Sequence, residues 1–190
     1  MDIKFKKSLK TIKRLFDKRG YTVKEEHFEE DDCYMTFTTH KGRPGKIVWS
    51  FEEKEGKQYV VNVFSELLTE PKHLILVYRN MTNYALKMYR DCFKAYFKAE
   101  FIDIAFLQKF LFDHPLVPDY QVLDKSERNQ VVEAYGGNID HFPVMLENDP
   151  VSIAMNYSKG MLVKEISHFD HSKRENDYDR PPIVTYRYIK

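Results

Sequence analysis

The chain has 190 residues, of which 43% are hydrophobic and 31% charged, so it can bury a core and is not disordered as a whole. No apolar run approaches the roughly 20 residues of a membrane-spanning helix, and no apolar segment follows the basic N-terminus, so neither a membrane span nor a secretory signal is expected. The net charge of +1 conceals an asymmetry between a basic front half and an acidic rear half. Residues 1–111 carry 21 basic and 16 acidic residues, whereas residues 112–190 carry 9 basic and 13 acidic residues.

The first predicted element is a helix over residues 3–18. Apolar side chains recur there at helical spacing, at Phe5, Leu9, Ile12 and Phe16. Gly20 is placed to end the helix. The opposite face carries a series of basic residues: Lys4, Lys6, Lys7, Lys10, Lys13, Arg14 and Lys18. This face is interpreted either as a phosphate-binding surface or as the solvated side of an amphipathic helix.

The next segments predict a loop and then a β-sheet. The acidic run at residues 25–32 is typical of a solvated loop. Alternating apolar residues around the turn at 40–45 predict a hairpin, and the continuous apolar run at 73–78 predicts a central strand buried on both faces. The other elements predicted in the front half are a strand near 59–63, a helix at 83–96 capped by Thr82 or Asn83, and strands at 100–104 and 107–112.

The stretch at residues 113–123 separates the two halves. Pro115 and Pro118 cannot both lie inside a helix, and each pushes the preceding residue toward an extended conformation. The segment is mostly apolar, so we expect an extended connector that packs as the first segment of the rear module. The domain boundary is therefore predicted between residues 111 and 112.

The rear half predicts two helices and a small sheet. Asp124 and Glu127 form a capping box for a helix at 125–135, and Asp149-Pro150 begins a short helix at 150–155. A strand at 161–166 is expected to pair with one at 183–189. Leu116, Val117, Phe142 and Val163 are expected to lie in the core of this module.

The sequence contains no recognisable active site. It has no nucleophile elbow and no pair of histidines in a metalloprotease arrangement. A metal-dependent nuclease needs an acidic residue at the end of one strand and an acid-x-Lys motif on the next strand. Asp103 ends a strand, but no such motif follows it at the right place. We therefore expect no catalytic residue, no metal and no cofactor.

Several rear segments together resemble one known family. They occur in a fixed order with tight spacing: His114 to Pro118 (HPLVP), Phe142-Pro143, Asp149-Pro150-Val151, Lys159-Gly160, Val163-Lys164 and Thr185-Tyr186-Arg187. This order is similar to the assembly module of the fifth-largest subunit shared by eukaryotic RNA polymerases, which has a homologue in the archaeal enzyme. The front half resembles the jaw of the eukaryotic subunit at residues 15–21, at 42–44 with 50–51, and at 77–80 with 85–87.

The resemblance implies an α+β chain with two domains. Residues 1–111 would form a mixed α/β jaw with a restriction-endonuclease-like sheet that lacks an active site, and residues 112–190 a small α+β assembly domain. The chain would be a non-catalytic subunit of DNA-directed RNA polymerase, without a cofactor, membrane or small-molecule substrate. It would act in the nucleus if the chain is cellular, or in the virion or host cytoplasm if it is viral.

The resemblance also implies two sets of contact residues. The assembly domain would dock on the largest polymerase subunit through His114, Leu116, Val117, Pro118, Pro143, Asp149, Pro150, Lys159, Gly160, Lys164, Tyr186 and Arg187. The jaw would lie beside downstream duplex DNA, with phosphate contacts from Arg79, Asn80, Thr82, Asn83 and Lys87. An ordinary loop and helix start would explain the second set equally well.

Three positions depart from the family pattern. Tyr120 stands in place of a second histidine, Val144 in place of a basic residue and Ser167 in place of an arginine. Such divergence would suit a subunit from a large DNA virus. Two other functions stay open at this point: a metal-dependent nuclease that uses Asp103, and a stand-alone module that binds duplex DNA.

Overall fold

The computed structural model describes residues 2–29, 33–50, 73–93, 98–167 and 182–190, which fall into two compact units, Met1–Lys109 and Phe110–Lys190. The division lies two residues before the one expected from the sequence. The strand expected near 59–63 lies outside the described residues. Within the described ranges, no helix is long and apolar enough to cross a membrane.

The described residues of the front unit form a five-stranded mixed sheet with two helices. The elements are α1 (Ile3–Arg19), β1 (Thr22–Phe28), β2 (Cys33–Thr38), β3 (Pro44–Trp49), β4 (His73–Tyr78), α2 (Asn83–Phe93) and β5 (Lys98–Asp103). The strands follow the order β1-β2-β3-β4-β5, in which β1, β2 and β3 are antiparallel neighbours and β3, β4 and β5 are parallel ones.

Helix α1 packs its apolar face on the sheet, as its sequence predicts. The Phe5 ring meets Trp49 edge-on with centroids 5.6 Å apart, and the Phe16 ring lies 4.7 Å from that of Phe37. Ser8 is fully buried and its hydroxyl accepts a 3.0 Å hydrogen bond from Trp49 Nε1. Gly20 ends the helix with φ of 66°, and this left-handed conformation is the physical reason for a glycine at that position.

Strand β4 is the buried centre of this sheet. Five of its six residues are buried, and it pairs with a parallel strand on each side. A strand covered on both faces needs apolar side chains at successive positions rather than in alternation, which is why its sequence reads as a continuous apolar run. The expectation of a central strand at 73–78 is confirmed.

A buried charge cluster joins α1 to the parallel strands, and its separate parts are distant in sequence. Arg19 Nη1 lies 2.9 Å from Glu100 Oε2, and His73 Nε2 lies 2.5 Å from Glu100 Oε1. The side chains of all three are at most 8% exposed. Burial by itself would raise the pKa of Glu100, but the adjacent Arg19 guanidinium and the hydrogen bond from His73 outweigh it, so the pKa lies below its ordinary value.

Two expectations for the front unit are wrong. The acidic segment expected as a loop begins inside β1, because Glu25 and Glu26 pair with Thr36 and Met35 of β2 while their side chains stay exposed. The strand expected at 107–112 is absent, and two 3-10 turns, Phe106–Gln108 and Leu111–Asp113, occupy that segment. An apolar run of this length does not distinguish a strand from buried turns.

In the rear unit, residues 110–167 and 182–190 form a four-stranded sheet with two short α-helices. The elements are β6 (Asp119–Val122), α3 (Lys125–Ala134), β7 (Val144–Met145), α4 (Pro150–Met155), β8 (Leu162–Ser167) and β9 (Ile183–Ile189). The strand order is β6-β8-β9-β7; β8 pairs antiparallel with β6 and β9, and β7 pairs parallel with β9. The pairing of β8 with β9 is confirmed, whereas β6 was not anticipated.

The predicted helix caps of the rear unit are present. Asp124 accepts from the Glu127 backbone amide at 2.8 Å, and Glu127 accepts in return from the Asp124 amide at 3.0 Å. Asp149 accepts from the Val151 amide at 2.8 Å, directly before Pro150 at the first position of α4. The unit has a core of its own, formed by Met145, Val151, Tyr157, Val163 and Ile189.

The buried charge cluster generates a stability prediction with a matched control. Glu100→Gln removes the buried negative charge that compensates the Arg19 guanidinium 2.9 Å away, so the free energy of unfolding should fall by about 3–5 kcal/mol. Glu26→Gln breaks the exposed pair with Lys13 and should cost about 0–1 kcal/mol. Urea unfolding followed by the fluorescence of Trp49, the single tryptophan, measures both. Equal losses in the two variants would contradict the assignment.

The same cluster sets a pH dependence. Because the folded-state pKa of Glu100 is below its ordinary value of 4.5, its stabilising contribution is complete above that pH and is lost as the pH falls through the folded-state pKa. The difference in unfolding free energy between the wild type and Glu100→Gln should therefore shrink as the pH falls below about 4.5. Urea unfolding at a series of pH values tests this, and a difference that grows in acid would contradict it.

Candidate functional site

The HPLVP segment begins the rear unit, but it is a turn rather than an extended connector. His114 caps the 3-10 turn Leu111–Asp113, and its carbonyl accepts from the Val117 amide at 2.9 Å. Its ring Nδ1 accepts from the Leu116 amide at 3.2 Å. Pro115 therefore lies inside this tight reversal and Pro118 follows it, directly before β6. Both hydrogen bonds of His114 lie within the turn.

This reversal forms one wall of a groove of about 520 Å³ in the rear unit. Leu116, Val117 and Pro118 line the groove from this reversal, and a second segment contributes Val144, Met145, Leu146, Asn148 and Asp149. Leu116 is 58% exposed, so the expectation that it belongs to the core is wrong, whereas Val117 packs against the core cluster. Five of the twelve residues predicted for the subunit interface line this groove: Leu116, Val117, Pro118, Asp149 and Arg187.

Arg187 and Tyr120 supply the polar chemistry of the groove. Arg187 on β9 forms an ion pair through Nε with Glu165 on β8, which raises the pKa of the guanidinium. Burial, and then the nearby Glu165 carboxylate, raise the pKa of Tyr120 to about 12. Tyr120 is therefore a neutral phenol at physiological pH that can donate a hydrogen bond, where the family pattern has a histidine.

The other residues predicted for the interface lie outside the groove. Lys159 and Gly160 form the turn before β8, where the Lys159 amide donates to Glu147 at 2.6 Å. Tyr186 packs its ring against Tyr135 and Phe142, with centroids 5.8 and 6.3 Å away. Four residues remain. His114 and Pro143 are exposed, Pro150 begins α4, and Lys164 on β8 is half-buried.

The structure adds lining residues that sequence reasoning missed. Val144 and Leu146 are 44% and 55% exposed, and both line the groove together with Leu116. An exposed leucine has no signature in the sequence, because only the fold shows that it is not buried. The one available signal was the departure at Val144, where an apolar residue replaces a basic one.

In the front unit, the residues predicted to contact nucleic acid surround the start of α2. Arg79 forms an ion pair with Asp2, the residue that caps α1, so its guanidinium is already engaged. The Thr82 hydroxyl accepts from the Ala85 amide at 3.2 Å, which identifies it as the cap rather than Asn83. Asn80, Asn83 and Lys87 are exposed.

Asp103, the residue on which a nuclease interpretation depends, ends β5. Its carboxylate accepts from the Ala105 amide at 2.7 Å and so stabilises the turn that follows the strand. Across the ranges that the structure describes, no group of three or more His, Cys, Asp or Glu side chains is placed to hold a metal ion.

Comparison with known proteins gives two matches. Residues 111–189 match the family described as RNA polymerase Rpb5, C-terminal domain. The DNA-directed RNA polymerase subunit Rpo5 of Thermococcus kodakarensis is 28% identical over 54 residues, which are 28% of this chain and 66% of that protein. The match therefore spans just under two thirds of the length of this curated relative.

The rear unit is thus a small α+β domain whose residues 111–189 are similar to the Rpb5 C-terminal domain family. The relative from Thermococcus kodakarensis, a polymerase subunit by name, points to the same family. Both the family resemblance expected from the sequence and the α+β fold class with two sheets are confirmed.

Proposed function

We propose that the chain is a non-catalytic subunit of DNA-dependent RNA polymerase whose rear unit docks on the largest subunit. The observation that carries the proposal is the family match over residues 111–189, which coincides with the unit that contains the groove. The archaeal relative bears the name of a polymerase subunit, which supports the same conclusion.

The groove has the chemistry of a protein-docking surface. Leu116, Val144 and Leu146 expose large apolar side chains on its rim, and each would lose contact with water if a partner covered it. Arg187 also lines the groove, and its ion pair with Glu165 holds its guanidinium in place. Arginine is one of the residue types that most often dominate the binding energy of protein interfaces. We therefore place the centre of the docking surface at this groove.

The seven predicted interface residues outside the groove belong to the proposal as its periphery. Such residues exclude water around an interface and contribute less each than the central anchors. Pro143, Pro150 and Gly160 also shape the turns that hold the groove walls and the β8–β9 pair, so substitutions there would combine structural and binding effects.

For the front unit, the proposal places the jaw beside downstream duplex DNA, near Asn80, Asn83 and Lys87. These three side chains are exposed and stand at one end of α2. Arg79 and Thr82 contribute by fixing the loop, because each is already engaged in a contact within the unit. The chain would act in the nucleus if it is cellular, or in the virion or host cytoplasm if it is viral.

The first experiment is affinity purification of the tagged full chain from its native host cells, with identification of partners by mass spectrometry. The expected result is recovery of the large polymerase subunits in stoichiometric amounts. Recovery of the chain without any large polymerase subunit would overturn the proposal.

The groove generates a prediction at residue level. Apolar anchors near the centre of an interface each contribute on the order of 1–2 kcal/mol to binding. The double variant Leu116→Ser with Leu146→Ser should therefore reduce recovery of the largest subunit by tenfold or more, since a factor of ten in affinity corresponds to about 1.4 kcal/mol. Both leucines are more than half exposed, so the fold should be retained.

Ile183→Ser is the matched control, because Ile183 is 58% exposed in the same unit but does not line the groove. It should leave recovery of the largest subunit unchanged. Urea unfolding of all variants would separate lost docking from lost stability. Equal recovery with the groove variant and the wild type would remove the groove from the interface while leaving the subunit assignment intact.

A further inference from the structure

The outer face of α1 is the most concentrated patch of one charge among the described residues. This outer face is formed by five basic residues: Lys6, Lys7, Lys10, Lys13 and Arg14. Because successive residues turn by 100° around a helix, the side chains of the other four leave the helix within about 60° of the direction of Lys10. They span only about 12 Å along the helix axis. The opposite side of α1 is buried on the sheet, so the outer face is turned toward solvent.

Most of this charge is not neutralised by the described residues of the front unit. Lys13 pairs with Glu26 at 2.7 Å. The Nζ groups of Lys6, Lys7 and Lys10 form no ion pair within the part of the chain that the structure describes, and all three side chains are exposed. Asp17 is the single acidic residue within α1.

Such a face costs helix stability. Like charges three or four positions apart repel, and each such pair destabilises a helix by roughly 0.2–0.5 kcal/mol. Lys6 and Lys10 stand four apart, Lys7 and Lys10 three apart, and Lys10 and Arg14 four apart. A bound anion that approaches Lys10 would relieve all three repulsions together, which favours a ligand with several closely spaced negative charges.

We propose that the outer face of α1 binds the phosphate backbone of duplex DNA. Duplex DNA presents one negative charge per roughly 1.7 Å of its axis, a density that matches several cations confined to about two turns of helix. Arg79 is a weaker candidate for a phosphate contact because Asp2 already occupies its guanidinium. The inference deepens the DNA-proximal part of the proposed function and moves its main contact from the loop before α2 to α1.

The test measures how binding of the full chain to a 30-base-pair DNA duplex depends on salt concentration, by fluorescence anisotropy. Each lysine–phosphate contact contributes about 0.9 to the slope of log affinity against log salt concentration. The variant Lys6→Gln, Lys7→Gln, Lys10→Gln should therefore lower that slope by about 2 to 3 and weaken binding at low salt.

A charge-matched control separates a specific face from net charge. Lys24→Gln, Lys41→Gln, Lys109→Gln removes three exposed lysines of the same unit that are not part of α1 and should change the slope by less than about 1. Equal slopes for the two triple variants, or no loss in the α1 variant, would overturn the inference. Competition by polyglutamate as effective as by duplex DNA would also overturn it and would indicate an acidic protein partner instead.

This result is independent of the docking test. If the α1 variant still co-purifies with the largest subunit but has lost the salt slope, the proposed function stands and the DNA face is assigned to α1. If co-purification fails for the wild-type chain while the slope changes as expected, the DNA face stands and the polymerase assignment falls.

Discussion

The ion cluster of Arg19, Glu100 and His73 is the constraint on which the front unit depends. It joins the last residue of α1 to the first residue of β4 and to the middle of β5, and Arg19 and Glu100 are 81 positions apart in the chain. Burying these groups is costly, so the cluster is tolerable only because the charges compensate one another at hydrogen-bond distance. Phe37 and Tyr21 lie edge-on to the His73 ring, 5.4 and 5.8 Å away, and help to exclude water.

The cluster also determines what α1 presents to solvent. With Arg19 held at one end and Phe5 packed against Trp49 at the other, the helix cannot rotate about its axis without breaking buried contacts at both ends. Lys10 therefore stays at the centre of the outer face. A rigid helix fixes the backbone positions of its lysines, so only their side chains have to be ordered when several phosphates are engaged at once.

Local physics made much of the fold predictable. The caps at Asp124, Asp149 and Gly20 follow from short-range hydrogen bonding and backbone conformation, and the buried strand β4 follows from its apolar run. Strand β1 could not be recognised from the sequence, because its exposed glutamates are typical of a loop and its strand conformation depends on pairing with β2. The charge cluster and the groove were not predictable, because Leu116 meets residues 144–149 only through tertiary structure, and nothing local distinguishes Leu116 from a core leucine.

The two proposed surfaces differ in the physics of their binding, and this difference assigns a distinct role to each unit. The groove of the rear unit gains free energy by removing apolar surface from water, an interaction that salt does not screen and that excluded salts strengthen. Under the proposal, the outer face of α1 would gain free energy by releasing counterions from DNA, an interaction that weakens steeply with salt. The proposed function, in which a subunit stays assembled while DNA moves past it, would need this combination: salt-resistant anchorage in one unit and weak, exchangeable phosphate contacts in the other.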